Sequence, residues 1–394
     1  MSVPASITAL PNQSDALRDR LITWAEINSG SEHAEGLDRM VAVLRDALLV
    51  FTPDIVFLPA GSSGRSILRA RLRPDAPIQI LLNGHYDTVY EADHPFQRCT
   101  LLSPDRLNGP GVSDMKGGIV TMLAALSAFE KTPHADRLGF EILLTPDEET
   151  GSYFSAPEIA AAARRNHFGL VFEPARPGGE IVRSRKGTGS FTAVCHGRSA
   201  HGAVPEEGRN AIVALAEFIL AVNQIPADLP GVLLNVGNVR GGGAINIVPD
   251  RAQVEMHVRI NHASDQRRVL DRLHALAKPI NARDGFRLEI HGGFDRPPKE
   301  CLPAEEAVFN EWRRAASDLG QTVPDWIHTG GGSDGNLLSA AGLPCLDGVG
   351  PIGGDLHSPT EWIDLPSIAR RAQLAVLVLH RIATGEFVLP EKTA

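Results

Sequence analysis

The chain has little of what marks disulfide-rich, membrane-spanning or nucleic-acid-binding proteins. It has four cysteines and no CxxC pair, which argues against a disulfide framework and a cysteine-ligated zinc site. No apolar run approaches the roughly 20 residues that span a bilayer, and no long basic run is present to bind nucleic acid. Residues 1–30 lack the pattern of a secretory signal. We therefore expect a cytoplasmic protein with neither a membrane nor a nucleic-acid partner.

What the chain does have is the composition of a globular protein. Hydrophobic residues make up 43% and charged residues 22% of its 394 residues. This length exceeds what one hydrophobic core usually supports, so two domains are expected. The net charge is −9, from 38 basic and 47 acidic residues. Bound cations would neutralise part of that acidic excess, since buried carboxylates persist mainly when they are paired or metal-bound.

The first half of the chain has an α/β pattern. Short apolar runs at residues 78–83, 140–145 and 170–172 predict buried strands, and helical patterns at 117–129 and 156–163 lie between them. Strands that alternate with helices are typical of a mostly parallel sheet. The sequence therefore predicts an α/β domain with such a sheet.

A second pattern follows Glu173 and predicts a smaller domain inserted into the first. It is a β-α-β-β-α-β series of the ferredoxin-like α+β kind, with strands predicted at 189–196, 233–239, 254–260 and 287–291 and helices at 210–222 and 265–277. An α/β pattern returns near residue 298. The predicted division is a discontinuous catalytic domain, residues 1–183 and 298–394, with an inserted domain at 184–297.

Ionisable residues follow the predicted strands of the larger domain. In an open α/β sheet, ligands bind outside the carboxyl ends of the strands. Two glycine-containing segments, GPGVSDMKGG and GPIGGDLHSP, supply further candidates. The candidate residues at this edge are His85, Asp87, Asp114, Glu148, Glu149, Glu173 and His357.

Two histidines and several carboxylates, without a thiolate, suit a pair of zinc ions, with cobalt or manganese as possible substitutes. Two-metal sites hold their ions about 3.5–4 Å apart, so one carboxylate must bridge them. Asp114 is the best candidate for the bridge, because it lies between the other ligand clusters in the sequence. The remaining ligands then divide into His85 with Glu173 on one ion, and Glu149 with His357 on the other.

Glu148 and Glu149 are adjacent, so in an extended or loop backbone their side chains diverge and do not easily serve one ion. We therefore assign Glu149 to the metal and Glu148 to general base catalysis, taking a proton from the attacking water and passing it to the leaving amine. Asp87 lies two residues past His85 on the same strand face. It is predicted to accept the second imidazole N–H and to fix the tautomer.

These residues resemble the co-catalytic zinc carboxypeptidase and aminoacylase family, and within it the glutamate carboxypeptidases of the carboxypeptidase G type. The resemblance covers residues 83–359. Each of its eight segments is weak alone, but together they follow the family's order at compatible spacings. The segments are LLNGHYDTV, GPGVSDMKGG, TPDEETGS, LVFEP, GRSAHGAVPEEGRNA, INIVPD, HTGGGSDG and GPIGGDLHSPTE.

The resemblance implies roles that the residues alone do not supply. The inserted domain would be a lid and dimerisation domain of a homodimer, and His201 would polarise the scissile carbonyl in the partner's active site. Asn246 would assist it, and Arg296 would grip the terminal carboxylate of the substrate. Gly331 and Gly332 would contact the substrate. Structural readings stay open beside these roles: His201 as a surface-loop interface residue, and Arg296 as a salt-bridge partner.

The family resemblance also implies a reaction and a backbone feature. The reaction is hydrolysis of an amide in a dipeptide or N-acyl amino acid, with release of a carboxyl-terminal glutamate or a similar small amino acid. Deacylation of an N-acyl amino acid is the alternative, because it uses the same chemistry with a different pocket. The backbone feature is a cis peptide bond after the bridging aspartate, between Asp114 and Met115.

Two hypotheses from other classes remain. The segment 331–335 matches G-x-S-x-G, and Ser333 with Asp347 or Asp355 and then His357 has the chain order of a serine hydrolase. That reading leaves His85 and most of the carboxylates unexplained. A non-catalytic dimeric binding protein would be expected to have lost a ligand or the base, and none is lost.

Overall fold

Helices and strands alternate through residues 3–391, the part of the chain that a computed structural model describes. The α-helices in this part are α1 (Ala5–Thr8), α2 (Ser14–Ala25), α3 (Ala34–Leu48), α4 (Lys116–Phe129), α5 (Ala156–Arg165), α6 (Ala211–Val222), α7 (Ile225–Asp228), α8 (Ser264–Asn281), α9 (Pro303–Asp318), α10 (Asp334–Ala340) and α11 (Leu365–Thr384). The first seven strands are β1 (Ile55–Pro59), β2 (Ser66–Leu72), β3 (Ile78–His85), β4 (Thr100–Ser103), β5 (Arg106–Asn108), β6 (Leu138–Thr145) and β7 (Phe168–Val171). The later strands are β8 (Ile181–Arg185), β9 (Gly187–His196), β10 (Ala200–His201), β11 (Leu233–Gly241), β12 (Ile247–Val248), β13 (Arg251–Ile260), β14 (Arg287–Arg296), β15 (Trp326–Thr329), β16 (Cys345–Asp347), β17 (Gly353–Gly354) and β18 (Trp362–Asp364).

The chain divides into two units. The larger unit contains the described residues up to Ser184, Cys301–Thr329, and the described residues from Ser333 onward. The smaller unit contains Arg185–Glu300 and Gly330–Gly332. The short glycine segment groups with the smaller unit, where Nη1 of Arg185 donates to the carbonyl of Gly332 at 3.0 Å.

The larger unit is built on an eight-stranded sheet in the order β1-β2-β6-β3-β7-β16-β8-β15. Neighbours from β6 to β16 run parallel, whereas the pairs β1–β2, β2–β6 and β16–β8 are antiparallel. Helices α4 and α11 are buried along most of their length and contribute to the main core. The predicted α/β class is confirmed. The antiparallel hairpin of β1 and β2 was not predicted.

The register of the parallel strands brings the candidate residues to one edge. His85 ends β3 opposite Thr145, the last residue of β6. Asn83 of β3 lies opposite Val171, the last residue of β7. Because the strands are parallel, the segments that follow them leave the sheet at the same edge.

The smaller unit has a four-stranded antiparallel sheet in the order β11-β13-β9-β14. Helix α6 connects β9 to β11, helix α8 connects β13 to β14, and both helices pack on the sheet around a separate core. This is the β-α-β-β-α-β arrangement of ferredoxin-like domains. The predicted ferredoxin-like domain is confirmed.

One stretch of the smaller unit, Ala211–Asp228, is long and apolar enough to cross a membrane by length and composition. It consists of α6 and α7, and two polar residues lie between these helices, Asn223 and Gln224. About a third of it is buried within the unit. A single stretch of this kind is weak evidence for a membrane span, because the core helices of soluble proteins have the same composition.

Candidate metal centre

His85 is held in a fixed orientation at the end of β3. Its side chain is 1% exposed, and Nδ1 lies 3.1 Å from the carbonyl oxygen of Asp87 and 3.3 Å from its Oδ1. The contact with Asp87 agrees with the position that the sequence predicts for that residue. With Nδ1 engaged in this way, Nε2 faces the other candidate ligands.

The two carboxylate oxygens of Asp114 face two different histidines. Oδ1 lies 3.0 Å from Nε2 of His85, and Oδ2 lies 3.3 Å from Nε2 of His357. Asp114 is followed by a cis peptide bond to Met115, as the resemblance implies. A carboxylate with one oxygen toward each imidazole has the arrangement that a bridging ligand requires.

The remaining candidate ligands lie in the predicted pairs. Nε2 of His85 is 3.6 Å from Oε1 of Glu173, and Nε2 of His357 is 3.1 Å from Oε2 of Glu149. Ligand atoms of His85, Asp114 and Glu149 all lie within 4.8 Å of one another. The structure therefore brings together all five residues predicted as metal ligands.

Glu148 and Glu149 begin a short 3₁₀ turn, Glu148–Thr150, which follows β6. Their backbone N–H groups donate to Oδ1 and Oδ2 of Asp87, each at 3.1 Å. The hydroxyl of Ser31 also donates to this carboxylate, at 2.8 Å. Asp87 thus orients the turn as well as the imidazole of His85, a second task that the sequence did not reveal.

The carboxylate of Glu148 is also near the cluster. One of its oxygens lies within 4.8 Å of a ring nitrogen of His85 and of a carboxylate oxygen of Glu173. The residue is 8% exposed. This position suits either a metal ligand or a base beside the metal. The side chain of Glu149 leaves the same turn in a different direction and reaches His357.

The electrostatics of the cluster favour positive charge. Hydrogen bonds to Asp114 and Glu149 raise the pKa of His357 to about 11. Burial opposes protonation of His85, but Asp114 and Asp87 outweigh it and raise the pKa of His85 well above its usual range. Burial and the charge of Asp114 raise the pKa of Glu149 to about 8. Burial would raise the pKa of Asp114, but the two histidines lower it below its usual range.

Sequence reasoning missed Glu361, which is 1% exposed and supports the cluster from behind. Its Oε1 accepts from the backbone N–H of Ser113 at 2.9 Å and of Asp114 at 3.0 Å. Its Oε2 accepts from the backbone N–H of Gly111 at 3.1 Å and from the Tyr90 hydroxyl at 2.8 Å. Burial raises the pKa of Glu361 to about 7. The available signal was its place at the end of GPIGGDLHSPTE.

His201 and Asn246 lie side by side in the smaller unit. Strand β10 pairs with β12 so that His201 is opposite Ile247, and the carbonyl of Asn246 accepts from the N–H of Gly202 at 2.7 Å. Both residues are exposed. Nδ1 of His201 accepts from the N–H of Ala203 at 3.1 Å. This contact leaves the proton of the neutral ring on Nε2, where it can be donated outward.

Arg296 lies against the glycine segment of the same unit. The side chain is 7% exposed, and it approaches Gly332 so closely that a Cβ there would be 2.4 Å from Nη1 of Arg296. A residue with a Cβ at position 332 would require the side chain of Arg296 to shift. No atom lies within 4 Å of the position that a Cβ on Gly331 would take. The structure therefore brings Arg296 together with one of the two predicted substrate-contacting glycines.

Ser333 does not have the surroundings of a nucleophile. It is fully buried, its hydroxyl donates to Asp347 at 2.7 Å, and it accepts from the N–H of Gly335 at 3.0 Å. Ser333 is the amino-terminal cap of α10, with a capping box completed by Asn336. Its hydroxyl is committed to the helix and to Asp347, which argues against the serine hydrolase reading.

Comparison with known proteins agrees with this geometry. The model of peptidase family M20/M25/M40 matches residues 81–381, most of the chain. The chain belongs to this family. It is accordingly a hydrolase of the metallopeptidase kind, and the predicted family resemblance is confirmed. This result excludes the reading as a non-catalytic binding protein.

Relatives of this M20/M25/M40 peptidase differ in their reported activities. The chain is 27% identical to carboxypeptidase G2 of Pseudomonas sp. (strain RS-16) over 316 residues, which cover 78% of this chain and 74% of the relative. It is 26% identical to succinyl-diaminopimelate desuccinylase of Halorhodospira halophila (strain DSM 244 / SL1) over 346 residues, covering 82% and 89%. A tripeptidase from Staphylococcus aureus subsp. aureus mu50 has the same fold, with a TM-score of 0.79, 21% identity, and coverage of 94% and 99%.

Proposed function

We propose that this peptidase is a two-zinc amidohydrolase, with cobalt or manganese as possible substitutes. The observation that carries the proposal is the arrangement of Asp114, whose oxygens face His85 and His357 at 3.0 and 3.3 Å. The donors are imidazoles and carboxylates without a thiolate, a set that suits such ions. His85 and Glu173 would hold one ion, Glu149 and His357 the other, and Asp114 both. When bound, the ions polarise the scissile carbonyl and activate a water at neutral pH.

Glu148 moves the proton in this proposal. It takes a proton from the attacking water and gives it to the leaving amine. Its place beside His85 and Glu173 supports this role, and so does the anchoring of its turn by Asp87. The backbone bonds of the turn hold the carboxylate near the reacting atoms without a cost of reorganisation during the reaction.

His201 stabilises the oxyanion that develops on the substrate carbonyl. The contact of its Nδ1 with the N–H of Ala203 leaves Nε2–H as the donor, and the exposed ring is free to reach a substrate. Asn246, which lies beside it, assists in holding the same oxygen. Following the resemblance, we place this histidine in the active site of the other subunit of a homodimer.

The smaller unit exposes apolar side chains on an edge strand and on a helix. Strand β11 is an edge strand, and it exposes Leu233 (51%) and Val239 (54%). Helix α6 exposes Val213 (55%) and Leu220 (72%). An exposed apolar edge strand invites pairing with another strand, and large apolar patches mark interaction surfaces. We therefore propose that β11 and α6 form the dimer interface.

A mixing experiment tests both the dimer and the action of His201 in trans. Glu148→Ala and His201→Ala are each expected to be inactive alone. After subunit exchange, a mixed dimer would have one complete site, because the subunit with Glu148 receives the partner subunit's His201. With equal amounts mixed, half of the dimers are mixed, so about a quarter of wild-type activity should return. No recovery, with exchange verified by mass, would contradict action in trans.

Arg296 recognises the substrate's terminal carboxylate in this proposal. Its guanidinium is suited to bind a carboxylate in a bidentate manner, and it lies close to the backbone of Gly332. We propose release of a carboxyl-terminal glutamate or a similar small amino acid; the glutamate follows from the family resemblance, and the carboxypeptidase G2 relative supports action at a carboxyl terminus. Deacylation of an N-acyl amino acid is the second candidate, favoured by the desuccinylase that aligns over 89% of its length.

Three substrates separate these activities. Hydrolysis of an N-acyl-glutamate, a non-acidic N-acyl amino acid and an N-succinyl amino acid should be measured before and after chelation. Chelator-sensitive release of glutamate supports the carboxypeptidase proposal, and activity on only one of the other two substrates supports the deacylase. Activity that survives complete chelation would contradict both.

We also propose a cytoplasmic location, which fractionation of cells that express the protein would test.

A further inference from the structure

The larger unit contains a cavity lined by residues that the proposed reaction does not use. It has a volume of about 390 Å³ and lies between the Gly178–Gly179 turn, the segment after α9, and the first half of α11. Its polar lining includes Gln321, Thr322, Ser367, Arg370 and Arg371. Of the described residues that line it, none is acidic. This volume is large enough for a small metabolite.

Arg371 is the central feature of this cavity. It is 4% exposed, and its one hydrogen bond within the described chain is to the carbonyl of Gly179. No described carboxylate lies within ion-pair distance of it. A buried guanidinium normally has a carboxylate partner, because an uncompensated buried charge is costly. The carbonyl of Gly179 accepts from one of the five N–H donors of the guanidinium. Because a carbonyl is neutral, it does not balance the positive charge of Arg371.

The turn that carries Gly179 is shaped for this contact. Gly179 has a φ of +88°, and a Cβ there would lie 3.4 Å from Nη2 of Arg371 and 3.6 Å from Ile352. Glycine therefore allows the left-handed backbone of the turn, whereas the distances to Arg371 and Ile352 are ordinary van der Waals contacts. The hydrogen bond to the carbonyl of Gly179 holds the guanidinium of Arg371 in the cavity wall.

A second positive charge adds to the first. Arg370 lines the same cavity, and its side chain is 45% exposed and paired with Asp364 at 2.8 Å. Burial and the neighbouring charge of Arg370 outweigh the opposing charge of Glu180 and lower the pKa of Arg371 to about 10. Arg371 therefore remains charged at neutral pH. Two adjacent guanidinium groups in a cavity without an acidic lining residue make it attractive to anions.

From this geometry we propose that the cavity binds a small metabolite through a carboxylate or phosphate group, with Arg371 as the principal ligand. A planar oxyanion group can accept two parallel N–H bonds from one guanidinium. It would place a negative charge in direct contact with Arg371, on which Glu180 acts only from beyond ion-pair distance, and it would also be attracted by Arg370.

Calorimetric titration of the full-length protein with inorganic phosphate, and separately with succinate, tests this proposal and distinguishes the two oxyanions. Arg371→Met should weaken binding by about tenfold or more, the effect expected for losing a charged hydrogen-bond donor. Arg371→Lys keeps the positive charge but removes the planar pair of N–H donors, so it should give an intermediate loss of binding affinity. Arg370→Gln should weaken binding by a smaller factor of about threefold, since that side chain is more exposed.

The matched control is Arg272→Gln. Arg272 is 43% exposed and paired with Asp228 at 2.6 Å, much as Arg370 is paired with Asp364, but it lies on α8 of the other unit. Binding should be unchanged in this variant. Anion binding at the metal centre would be common to all the variants, so only the part that depends on Arg371 and Arg370 supports the proposal. Equal binding by the wild type, Arg371→Lys and Arg370→Gln would overturn it, even if Arg371→Met failed to fold.

Discussion

The carboxylate of Glu361 accepts a hydrogen bond of 3.0 Å from the backbone N–H of Asp114. The same carboxylate accepts from the backbone N–H groups of Gly111 and Ser113. Glu361 lies four residues after His357 in the sequence, so one side chain joins the loops that carry two predicted metal ligands. Its function is to position them, because its oxygens are occupied by backbone and tyrosine donors.

Replacing Glu361 with glutamine should weaken metal binding. The amide would turn an N–H₂ group toward N–H donors, and the segment around Asp114 would lose part of its support. Loss of such a supporting partner typically costs about 10–100-fold in metal affinity. Chelator competition gives the affinity. Glu306→Gln is the control, since that side chain is 59% exposed. Unchanged affinity in Glu361→Gln would contradict the positioning role.

Substitution of Glu148 separates the base from the ligands. Glu148→Gln should reduce kcat by about 10²–10⁴-fold, the range expected when a general base is removed. Metal content should stay at the wild-type level, because the five predicted ligands are intact. Steady-state kinetics and elemental analysis of the same sample check both parts. Loss of metal together with activity would make Glu148 a ligand instead.

Asp87 should matter for stability as well as for catalysis. Asp87→Asn leaves one oxygen to accept from the donors of Glu148, Glu149 and Ser31, and at least one buried donor loses its partner. We expect a loss of about 2–4 kcal/mol in the free energy of unfolding. Ser31→Ala, which removes a single donor, should cost only about 1 kcal/mol. Urea denaturation compares the two. Equal effects would show that Asp87 does not organise the turn.

Metal binding should release protons at pH 7. The pKa of His357 is raised to about 11 and that of His85 is raised well above its usual range, so both imidazoles are protonated in the metal-free protein. The pKa of the third ligand, Glu149, is raised to about 8, so its carboxyl is also largely protonated at pH 7. Metal binding must displace these protons, and about three should be released. Affinity should therefore rise as pH rises. Calorimetry in buffers of different ionisation enthalpy measures the number. A binding heat that is independent of the buffer would contradict this electrostatic account.

Ser333→Ala distinguishes the metal reaction from the serine reaction. The hydroxyl caps α10, so its removal should lower stability by about 1–2 kcal/mol. The rate constant kcat should change little at a temperature where the variant is folded. Circular dichroism and kinetics on one sample provide the measurement. A folded but inactive Ser333→Ala protein would revive the serine hydrolase reading.

Much of the fold could be predicted because its signals are local. The predicted strand at 140–145 is part of Leu138–Thr145, and the predicted helix at 117–129 is part of Lys116–Phe129. Both segments are apolar along nearly their whole length because they are buried in the core of the larger unit. The candidate ligands could be predicted for a related reason: they follow strands whose parallel order sets where their carboxyl ends lie.

Other features depend on contacts that are distant in sequence. The hairpin of β1 and β2 was missed although β2 carries a local signal, because Leu68, Ala70 and Leu72 are buried and alternate with Arg69 and Arg71. Strand β1 has no buried residue and no such alternation. The grouping of Gly330–Gly332 with the smaller unit depends on Arg185. Glu361 is separated from Asp114 by nearly 250 residues, and no local pattern reveals which backbone donors its side chain reaches. The roles of His201 and Arg296 stay predictions.

The central claim is that activity depends on two ions held by the cluster around Asp114. Its most direct test is the metal content of purified, active protein, determined by elemental analysis as activity is titrated with a chelator. The account predicts about two zinc-like ions per chain, with activity falling as they are removed and returning when zinc is restored. A metal-free protein with undiminished activity would contradict it.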